Sequence, residues 1–285
     1  MILSGRLIKS TFIYLALIAW SAFALFPLYW MVIASFKDPL AVSQGPTFIP
    51  WVDFQPTLSA WKAILFGVER ETIGRPLINS TIIGLGSTFL AVIVGAMAAY
   101  GLTRFQIHAG PFRNQDVLFW IVSQRIMPPI VTGLALFMML RVLGLIDTRT
   151  GMILVYTAFN LPLAVWLMHN FFQQIPQDIE EAALVDGASR GRVLWHIVLP
   201  VSLPGLVATF LFCLVFAWNE FLLALILTFN RARTMPILIA AQHTQRMIEW
   251  WSLSAMSIIT IAPVVVITLL LQRYLITNVL AGAGR

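Results

Sequence analysis

The chain has 285 residues, of which 59% are apolar and only 11% are charged, and its mean hydropathy is +0.87. A soluble domain contains about 45–50% apolar and about 25% charged residues. Because so few polar side chains cannot cover a water-exposed surface, the composition excludes a soluble enzyme. The net charge of +6 does not indicate a nucleic-acid partner, since the basic residues are scattered singly or in pairs between apolar runs.

Six apolar segments are long enough to cross a bilayer, whose hydrocarbon core of about 30 Å requires about 20 helical residues. The segments lie at about residues 12–36, 77–100, 117–140, 152–172, 205–229 and 253–276. No stretch between them has the length of a separate soluble domain of ordinary size. We therefore predict an all-α membrane protein with six transmembrane helices, in which residues 1–285 form a single transmembrane domain.

The basic residues do not by their totals decide how the chain is oriented in the membrane. With the N-terminus inside, eight of them fall on the cytoplasmic side and nine outside, so the positive-inside rule gives no clear answer. Arg6 and Lys9 precede the first segment, whereas Lys37 is followed at once by Asp38. This local difference favours a cytoplasmic N-terminus.

A charged residue lies inside the third segment, where Arg125 follows Gln124. An arginine at the bilayer centre costs at least about 2.5 kcal/mol, so its side chain must face protein or water. Pro128 and Pro129 should kink or interrupt this helix, and broken helices in transporters tend to line a cavity. Two interpretations stay open. Gln124 and Arg125 form a polar wall of a solute path, or Arg125 is structural and reaches the interface or a second subunit.

The loop at about residues 173–204 is polar enough to leave the membrane and predicts two short helices. A proline followed by three acidic residues suits the first turn of a helix. Gly187 lies where that helix would end in left-handed backbone, which glycine adopts at little cost. Ser189 can cap a second helix that runs to about Ile197 and is stopped by Pro200.

The first of these helices carries four apolar residues whose spacing predicts a single face, namely Ile179, Ala182, Ala183 and Leu184. A small apolar face outside the bilayer needs a partner that covers it. We expect this face to be buried, and the residues alone leave open what covers it.

The same loop resembles a known motif. Glu181-Ala182-Ala183, three residues, Gly187, nine residues, Ile197, one residue and Leu199-Pro200 match the E-A-A-x3-G-x9-I-x-L-P pattern of ATP-binding-cassette (ABC) importer permeases. The resemblance implies a cytoplasmic loop, cytoplasmic N- and C-termini, and coupling helices that dock on an ATPase subunit. It assigns coupling to Glu181, Ala182, Ala183, Asp186, Gly187, Ile197, Leu199 and Pro200.

Further stretches along nearly the whole chain resemble the maltose-type branch of these permeases, which moves sugars and polyols. They are Ser35-Phe36-Lys37, Asn79-Ser80, residues 98–105, residues 144–148 and residues 218–221. The C-terminal residues 272–285 depart from this branch, which usually ends in a Gly-rich stretch with a late Lys-Gly. The resemblance implies the importer permease fold known as type I.

Trp218, Asn219 and Glu220 lie in the middle of the fifth segment. Sugars are uncharged and rich in hydroxyl groups, so a site for them needs hydrogen-bonding side chains beside aromatic faces. These three residues meet that requirement and join Gln124 and Arg125 as candidates for the solute path. The alternative is that Glu220 pairs with a basic group of a neighbouring helix.

No Gly-Lys dipeptide occurs, so the chain has no phosphate-binding loop, and ATP with its magnesium ion would be bound by partner ATPase subunits. We expect no catalytic residue, no cofactor and no metal site in this chain, because its four histidines and one cysteine lack ligand spacing.

The resemblance implies a permease subunit of an ATP-driven bacterial importer for a sugar, polyol or similar small hydroxylated solute. It implies partners besides membrane lipid: a second, non-identical permease, two ATPase subunits and a periplasmic solute-binding protein. The alternative is an ion-coupled secondary transporter, for which Arg125 and Glu220 are a thin set of intramembrane ionisable groups.

Overall fold

The computed structural model describes residues 2–38, 41–42, 45–67, 69–106, 112–245 and 249–282. All named elements in these ranges are helices, which confirms the predicted all-α class. In chain order they are α1 (Ile2–Ala34), α2 (Ser59–Phe66), α3 (Glu69–Arg104), α4 (Asn114–Ser123), α5 (Pro129–Val142), α6 (Arg149–Gln173), α7 (Gln177–Val185), α8 (Arg190–Val201), α9 (Leu203–Trp218), α10 (Leu222–Leu227), α11 (Met235–Gln245) and α12 (Trp250–Gly282). Arg246, one of the nine basic residues counted outside, and the end of the atypical C-terminal tail, residues 283–285, lie outside the described residues.

The contacts between residues divide the chain into two compact units, residues 1–73 with 239–261 and residues 74–238 with 262–285. The second unit contains α4 to α10, and with them every candidate site residue named from the sequence. The single domain expected over residues 1–285 stays a prediction.

Four helical segments are long and apolar enough to cross a membrane: Ser10–Ala34, Arg70–Arg104, Arg149–Gln173 and Trp250–Leu275. Two more candidates are helix pairs bent at a short break. Asn114–Ile126 and Pro129–Val142 meet at 91°, and Arg190–Val201 and Leu203–Trp218 meet at 75°. If each bent pair is one span, the described residues contain up to six spans, the predicted number. The second pair includes α8, which the sequence placed in the loop, so the bounds of the fifth span differ from the prediction.

In the first unit, α1 leaves residues 10–29 exposed and is fixed to the following loop just beyond its end. Lys37 is 2% exposed, and its Nζ donates to the Thr47 carbonyl at 2.6 Å and lies 4.2 Å from the centre of the Trp30 ring. Burial lowers the pKa of Lys37, and the charge of Asp53 opposes that shift. The buried side chain of Lys37 thus connects the loop at Thr47 to Trp30 of α1.

In the second unit, α6 is the buried centre. Its first half, including Met152, packs into one apolar cluster, and its second half, including Phe172, packs into another. Between them the helix comes very close to α3, because a side-chain carbon at Gly95 would lie 2.6 Å from Cβ of Ala164. Small residues allow such an approach, which is how membrane helices gain packing energy.

The third predicted segment is interrupted at its two prolines, as expected. α4 ends at Ser123 and continues into a 3₁₀ turn, Gln124–Ile126, before Met127 becomes extended. Pro128 precedes α5 and Pro129 is its first residue. Proline disfavours helical backbone in the residue before it and lacks the N–H of an interior helical residue, so the break falls here.

The fifth predicted segment is not one helix, so its predicted course over residues 205–229 is wrong. α9 ends at Trp218 and α10 begins at Leu222, which leaves Asn219 and Glu220 in the break. The amide of Asn219 donates to the Val215 carbonyl at 2.8 Å, and side-chain bonds of this kind compete with helical backbone.

Candidate coupling loop and solute cavity

The turn between α7 and α8 has the predicted left-handed glycine, with φ of +86° at Gly187. The Gly187 N–H donates to the Leu184 carbonyl at 3.1 Å, and the Ala188 N–H donates to the Ala183 carbonyl at 3.0 Å. This pair of bonds is the Schellman motif, which ends a helix sharply. The side chain of Ser189 then caps α8 by accepting from the Arg192 N–H, as predicted.

The apolar face predicted for α7 is wrong in two of its four members. Ala183 and Leu184 are half-buried and pack against the apolar cluster at the end of α6. The exposed surface of α7 contains Ile179, Glu181, Ala182, Val185 and the flanking Asp186. The four predicted positions span too wide an arc of the helix to face one way, so one side covers the chain's own core. We call these five residues the α7 surface.

Glu180 lies on the inner side of α7 and is only 6% exposed. Its Oε1 accepts from Arg104 Nε at 2.6 Å, and its Oε2 accepts from the Tyr100 hydroxyl at 2.9 Å. Arg104 Nη2 also donates to the carbonyls of Phe172 and Ile175, at 3.1 Å and 3.0 Å. One ion pair therefore joins α7 to the ends of α3 and α6.

Sequence reasoning missed this ion pair, because it counted Glu180 only as a favourable charge in the first helical turn. A usable signal existed. Arg104 ends the second predicted segment on the same side of the membrane as the loop, and buried charges of opposite sign in that position tend to pair.

The second loop helix does not stop before Pro200, so that prediction is wrong. α8 continues to Val201 by way of a π-helical turn over Leu194–Val198, in which the Leu199 N–H donates to the Leu194 carbonyl. The wider turn changes which carbonyls need donors, so a proline without an N–H fits. Of the motif residues, Ile197 and Leu199 are half-buried and Pro200 is exposed beside the bend into α9.

A cavity of about 560 Å³ lies at the break between α4 and α5. Its polar lining comes from the third, fourth and fifth predicted segments: Gln124, Arg125, Thr132, Tyr156, Asn160 and Glu220. Three of the five predicted path residues, Gln124, Arg125 and Glu220, are therefore brought together. Trp218 and Asn219 do not line this cavity, and Trp218 is buried where its ring approaches Gly84.

The Arg125 side chain is exposed to the cavity, and an aromatic ring contacts one face of its guanidinium. Its guanidinium lies 4.2 Å from the centre of the Phe216 ring, and Nη1 donates to the Phe159 carbonyl at 3.4 Å. Among the described residues, no carboxylate lies within ion-pair distance of it. Cation–π stacking fixes the side chain without neutralising its charge.

Glu220 has no basic partner among the described residues, so the alternative of a pairing with a neighbouring base is not what the structure contains. Its Oε1 accepts from the Leu223 N–H at 2.7 Å, and its Oε2 accepts from the Ala224 N–H at 3.1 Å and the Tyr156 hydroxyl at 2.7 Å. The carboxylate thus caps α10. Sequence reasoning missed both the cap and Tyr156, which no local pattern identified.

Another carboxylate, which lies outside the membrane spans, also accepts hydrogen bonds from backbone N–H groups. Asp147, with φ of +53°, accepts hydrogen bonds from the four consecutive N–H groups of residues 229–232 at 3.0 to 3.1 Å. The neighbouring Asn79 donates to the carbonyls of Arg231 and Arg233. Burial raises the pKa of Asp147, but the hydrogen bonds from the four N–H groups together lower it by a larger amount. The net shift of the pKa is therefore downward.

Interrupted membrane helices, a polar cavity beside the break and a capped two-helix loop are features of a transporter's membrane subunit. The family model described as "Binding-protein-dependent transport system inner membrane component" matches residues 91–280. The chain belongs to this family.

Several curated relatives align with almost the whole chain. The trehalose/maltose transport system permease protein MalG of Thermococcus litoralis is 34% identical over 285 residues, 98% of each chain. The trehalose transport system permease protein SugB of Mycobacterium tuberculosis is 35% identical over 265 residues, 92% of each. The sulfoquinovosyl glycerol transport system permease protein SmoH of Agrobacterium fabrum is 30% identical and covers 90% of this chain and 88% of its own.

A solved structure has the same fold. A chain of a bacterial ABC transporter involved in the import of the acidic polysaccharide alginate superposes with a TM-score of 0.70. It is 23% identical and covers 95% of this chain and 97% of its own. The predicted importer permease fold is confirmed.

The chain is therefore a membrane-spanning permease subunit of an ATP-driven importer and an inner-membrane component. It is a non-catalytic subunit, and its class implies ATPase and solute-binding partners. None of the similarities supports the alternative of an ion-coupled secondary transporter.

Proposed function

We propose that this permease imports a sugar, polyol or similar small hydroxylated solute through the cavity at the α4–α5 break. The observation that carries the proposal is the cavity itself, whose volume of about 560 Å³ falls within the roughly 300–1,000 Å³ of small-molecule sites. Hydroxyl, amide, guanidinium and carboxylate groups line it beside the rings of Phe159 and Phe216. This combination suits a ligand with many hydroxyl groups.

The names of the relatives support the same solute class. They concern transport of trehalose and maltose, of trehalose, and of sulfoquinovosyl glycerol. All of these compounds are rich in hydroxyl groups. The cavity offers both donors and acceptors, as such compounds need.

The coupling role belongs, in this proposal, to the α7 surface, which docks on an ATPase subunit. Its exposed apolar side chains, Ile179 and Val185, flank the exposed charges of Glu181 and Asp186. Movement of α7 would reach the membrane helices through Glu180 and its ion pair. A sharply capped turn and a buried ion pair give the loop the stiffness that a lever requires.

The remaining expectations are part of the same proposal. The loop and both termini are cytoplasmic, since an ATPase that binds cytoplasmic ATP must reach the α7 surface. Two ATPase subunits bind ATP and magnesium, so this chain needs no cofactor or metal of its own. A second, non-identical permease completes the pathway, and a periplasmic binding protein delivers the solute.

A vesicle assay tests the proposal. The complete importer, reconstituted with its binding protein, should take up solute only when ATP is supplied on the α7 side, and an ionophore should have no effect. Thr132→Val, which removes a hydroxyl from the cavity, should lower uptake about two- to tenfold, the effect of one lost hydrogen bond of about 0.5–1.5 kcal/mol.

Thr268→Val is the matched control. Both hydroxyls donate to a carbonyl of their own helix, Thr132 to Pro129 at 2.9 Å and Thr268 to Val264 at 2.8 Å, but Thr268 does not line the cavity. If the two substitutions lowered uptake equally, the cavity would not be the solute path. Uptake abolished by an ionophore would contradict ATP-driven import altogether.

A further inference from the structure

The charge of Arg125 is not neutralised within the described part of the chain. A guanidinium has five N–H donors, and this one makes a single hydrogen bond to the residues that the structure describes, at 3.4 Å to the Phe159 carbonyl. One face of the group is covered by the Phe216 ring, at 4.2 Å from its centre. The remaining donors have no carboxylate within ion-pair distance among the described residues.

Among the described residues that line the cavity, Glu220 is the one acidic residue, and its oxygen atoms are already occupied. They accept from two backbone N–H groups at the start of α10 and from the Tyr156 hydroxyl, at 2.7 to 3.1 Å. A carboxylate that caps a helix is stabilised by the positive end of that helix. Within the described ranges, the cavity therefore contains one stabilised anion and one cation that lacks a counter-ion.

An unpaired guanidinium in a membrane span is costly, and a ligand that pairs with it gains the corresponding energy. Arginine presents parallel donors that match a carboxylate, sulfonate or phosphate group, and such charge-assisted bonds are about twice as strong as neutral ones. The stacked guanidinium is already oriented, so little side-chain entropy is lost when the ligand binds.

We propose that the solute is a hydroxylated acid, whose single anionic group pairs with Arg125 while its hydroxyl groups contact the neutral polar lining. The inference rests on the proposed function, because the cavity must first be the solute site. It makes Arg125 the residue that distinguishes an acidic sugar or polyol from its neutral counterpart.

The test measures occupation of the cavity directly, in the intact complex of permease and ATPase subunits without the binding protein. Thr132→Cys is introduced, and its alkylation by a neutral maleimide is followed by mass spectrometry of this chain. The native Cys213 is fully buried, so it adds little background. Thr268→Cys, outside the cavity, serves as the control position.

The probes are matched pairs: glucose and glucuronate, galactose and galacturonate, and glycerol and glycerol 3-phosphate. We expect an acidic member of at least one pair to slow alkylation at position 132 at a concentration about tenfold or more below that of its neutral counterpart, as expected for a charged hydrogen bond. Position 268 should be alkylated at the same rate throughout.

Arg125→Gln should remove this preference, and Arg125→Lys, which keeps the charge but not the paired donors, should retain part of it. If acidic and neutral members protect equally and Arg125→Gln changes nothing, the inference is wrong and the proposed function stands. If no member of any pair protects, the proposed function fails with it. A complex that falls apart in Arg125→Gln, without acid-selective protection in the parent, would instead assign Arg125 to a subunit contact.

Discussion

The coupling loop and the solute cavity use charge in opposite ways. In the loop, Glu180 and Arg104 bind each other at 2.6 Å, and their side chains are only 8% and 7% exposed. In the cavity, Arg125 stacks on a ring and has no acidic partner among the described residues. A charge that the chain pairs internally serves the fold. A charge held in place but left unpaired is available to something outside the chain.

The largest effect should come from breaking the internal pair. Glu180→Gln leaves the Arg104 charge buried without its carboxylate, and loss of one partner from a buried pair costs about 3–5 kcal/mol. We expect a large drop in thermal stability and in the yield of complex with the ATPase, measured by size-exclusion chromatography of the solubilised importer.

Glu181→Gln is the matched control, since it makes the same change at the adjacent, exposed residue of α7. Its thermal stability should stay close to that of the parent. Should Glu180→Gln prove equally harmless, the contrast between an internally paired loop and an open cavity would no longer hold.

A smaller effect is expected at the turn of the loop. Gly187→Val forces a β-branched residue into left-handed backbone, which costs at least about 1–2 kcal/mol. A side-chain carbon there meets nothing within 4 Å, so the strain comes from the backbone and not from a clash. Uptake into vesicles should fall about tenfold, because 1.4 kcal/mol corresponds to a factor of about ten.

Gly191→Val tests whether valine itself is harmful in this loop, since position 191 also has open space but lacks a positive φ. It should transport nearly normally. Equal losses in the two variants would point to the surface of the loop, and not to its turn, as the sensitive feature.

The smallest effect should come from Asp147, a third kind of charge that is paired with backbone. Its pKa lies below the usual 3.8, because the N–H groups outweigh burial, so the ionised form stabilises the fold. That stability is fully present above about pH 5 and is lost as the pH falls through the lowered pKa. Asp147→Asn should cost about 1 kcal/mol or less at neutral pH, since the group is partly exposed.

Thermal unfolding from pH 3 to pH 7 checks this expectation. The difference between Asp147→Asn and the parent should shrink toward acidic pH. A difference that stays constant across the range would mean that the bonds of Asp147 do not depend on its charge.

Local patterns predicted the parts of the molecule whose causes are local. Pro128 and Pro129 break the third segment, and Gly187 and Ser189 form the turn and the cap expected of them. In each case the residue's own backbone preference fixes the result. No other part of the chain had to be known.

Two of the wrong or missing predictions depend on residues that lie far away in sequence. Whether Glu180 or Glu181 faces inward depends on Arg104 of another helix, and Leu184 turns toward a cluster built by α6. At the break after Trp218, polar side chains bond to nearby backbone within an apolar run. A hydropathy profile gives only one continuous segment there. Hydropathy measures how apolar a segment is, but not where its polar groups find hydrogen-bond partners.

The exposure of α1 has a consequence for how the chain is made. Residues 10–29 are exposed in the chain, although the segment satisfies its own backbone bonds and is apolar enough to cross a membrane. A helix of this kind is stable in lipid before any neighbour exists. α1 can therefore enter the bilayer during synthesis without another helix beside it, and the exposed side chains of residues 10–29 are left to lipid or to other subunits.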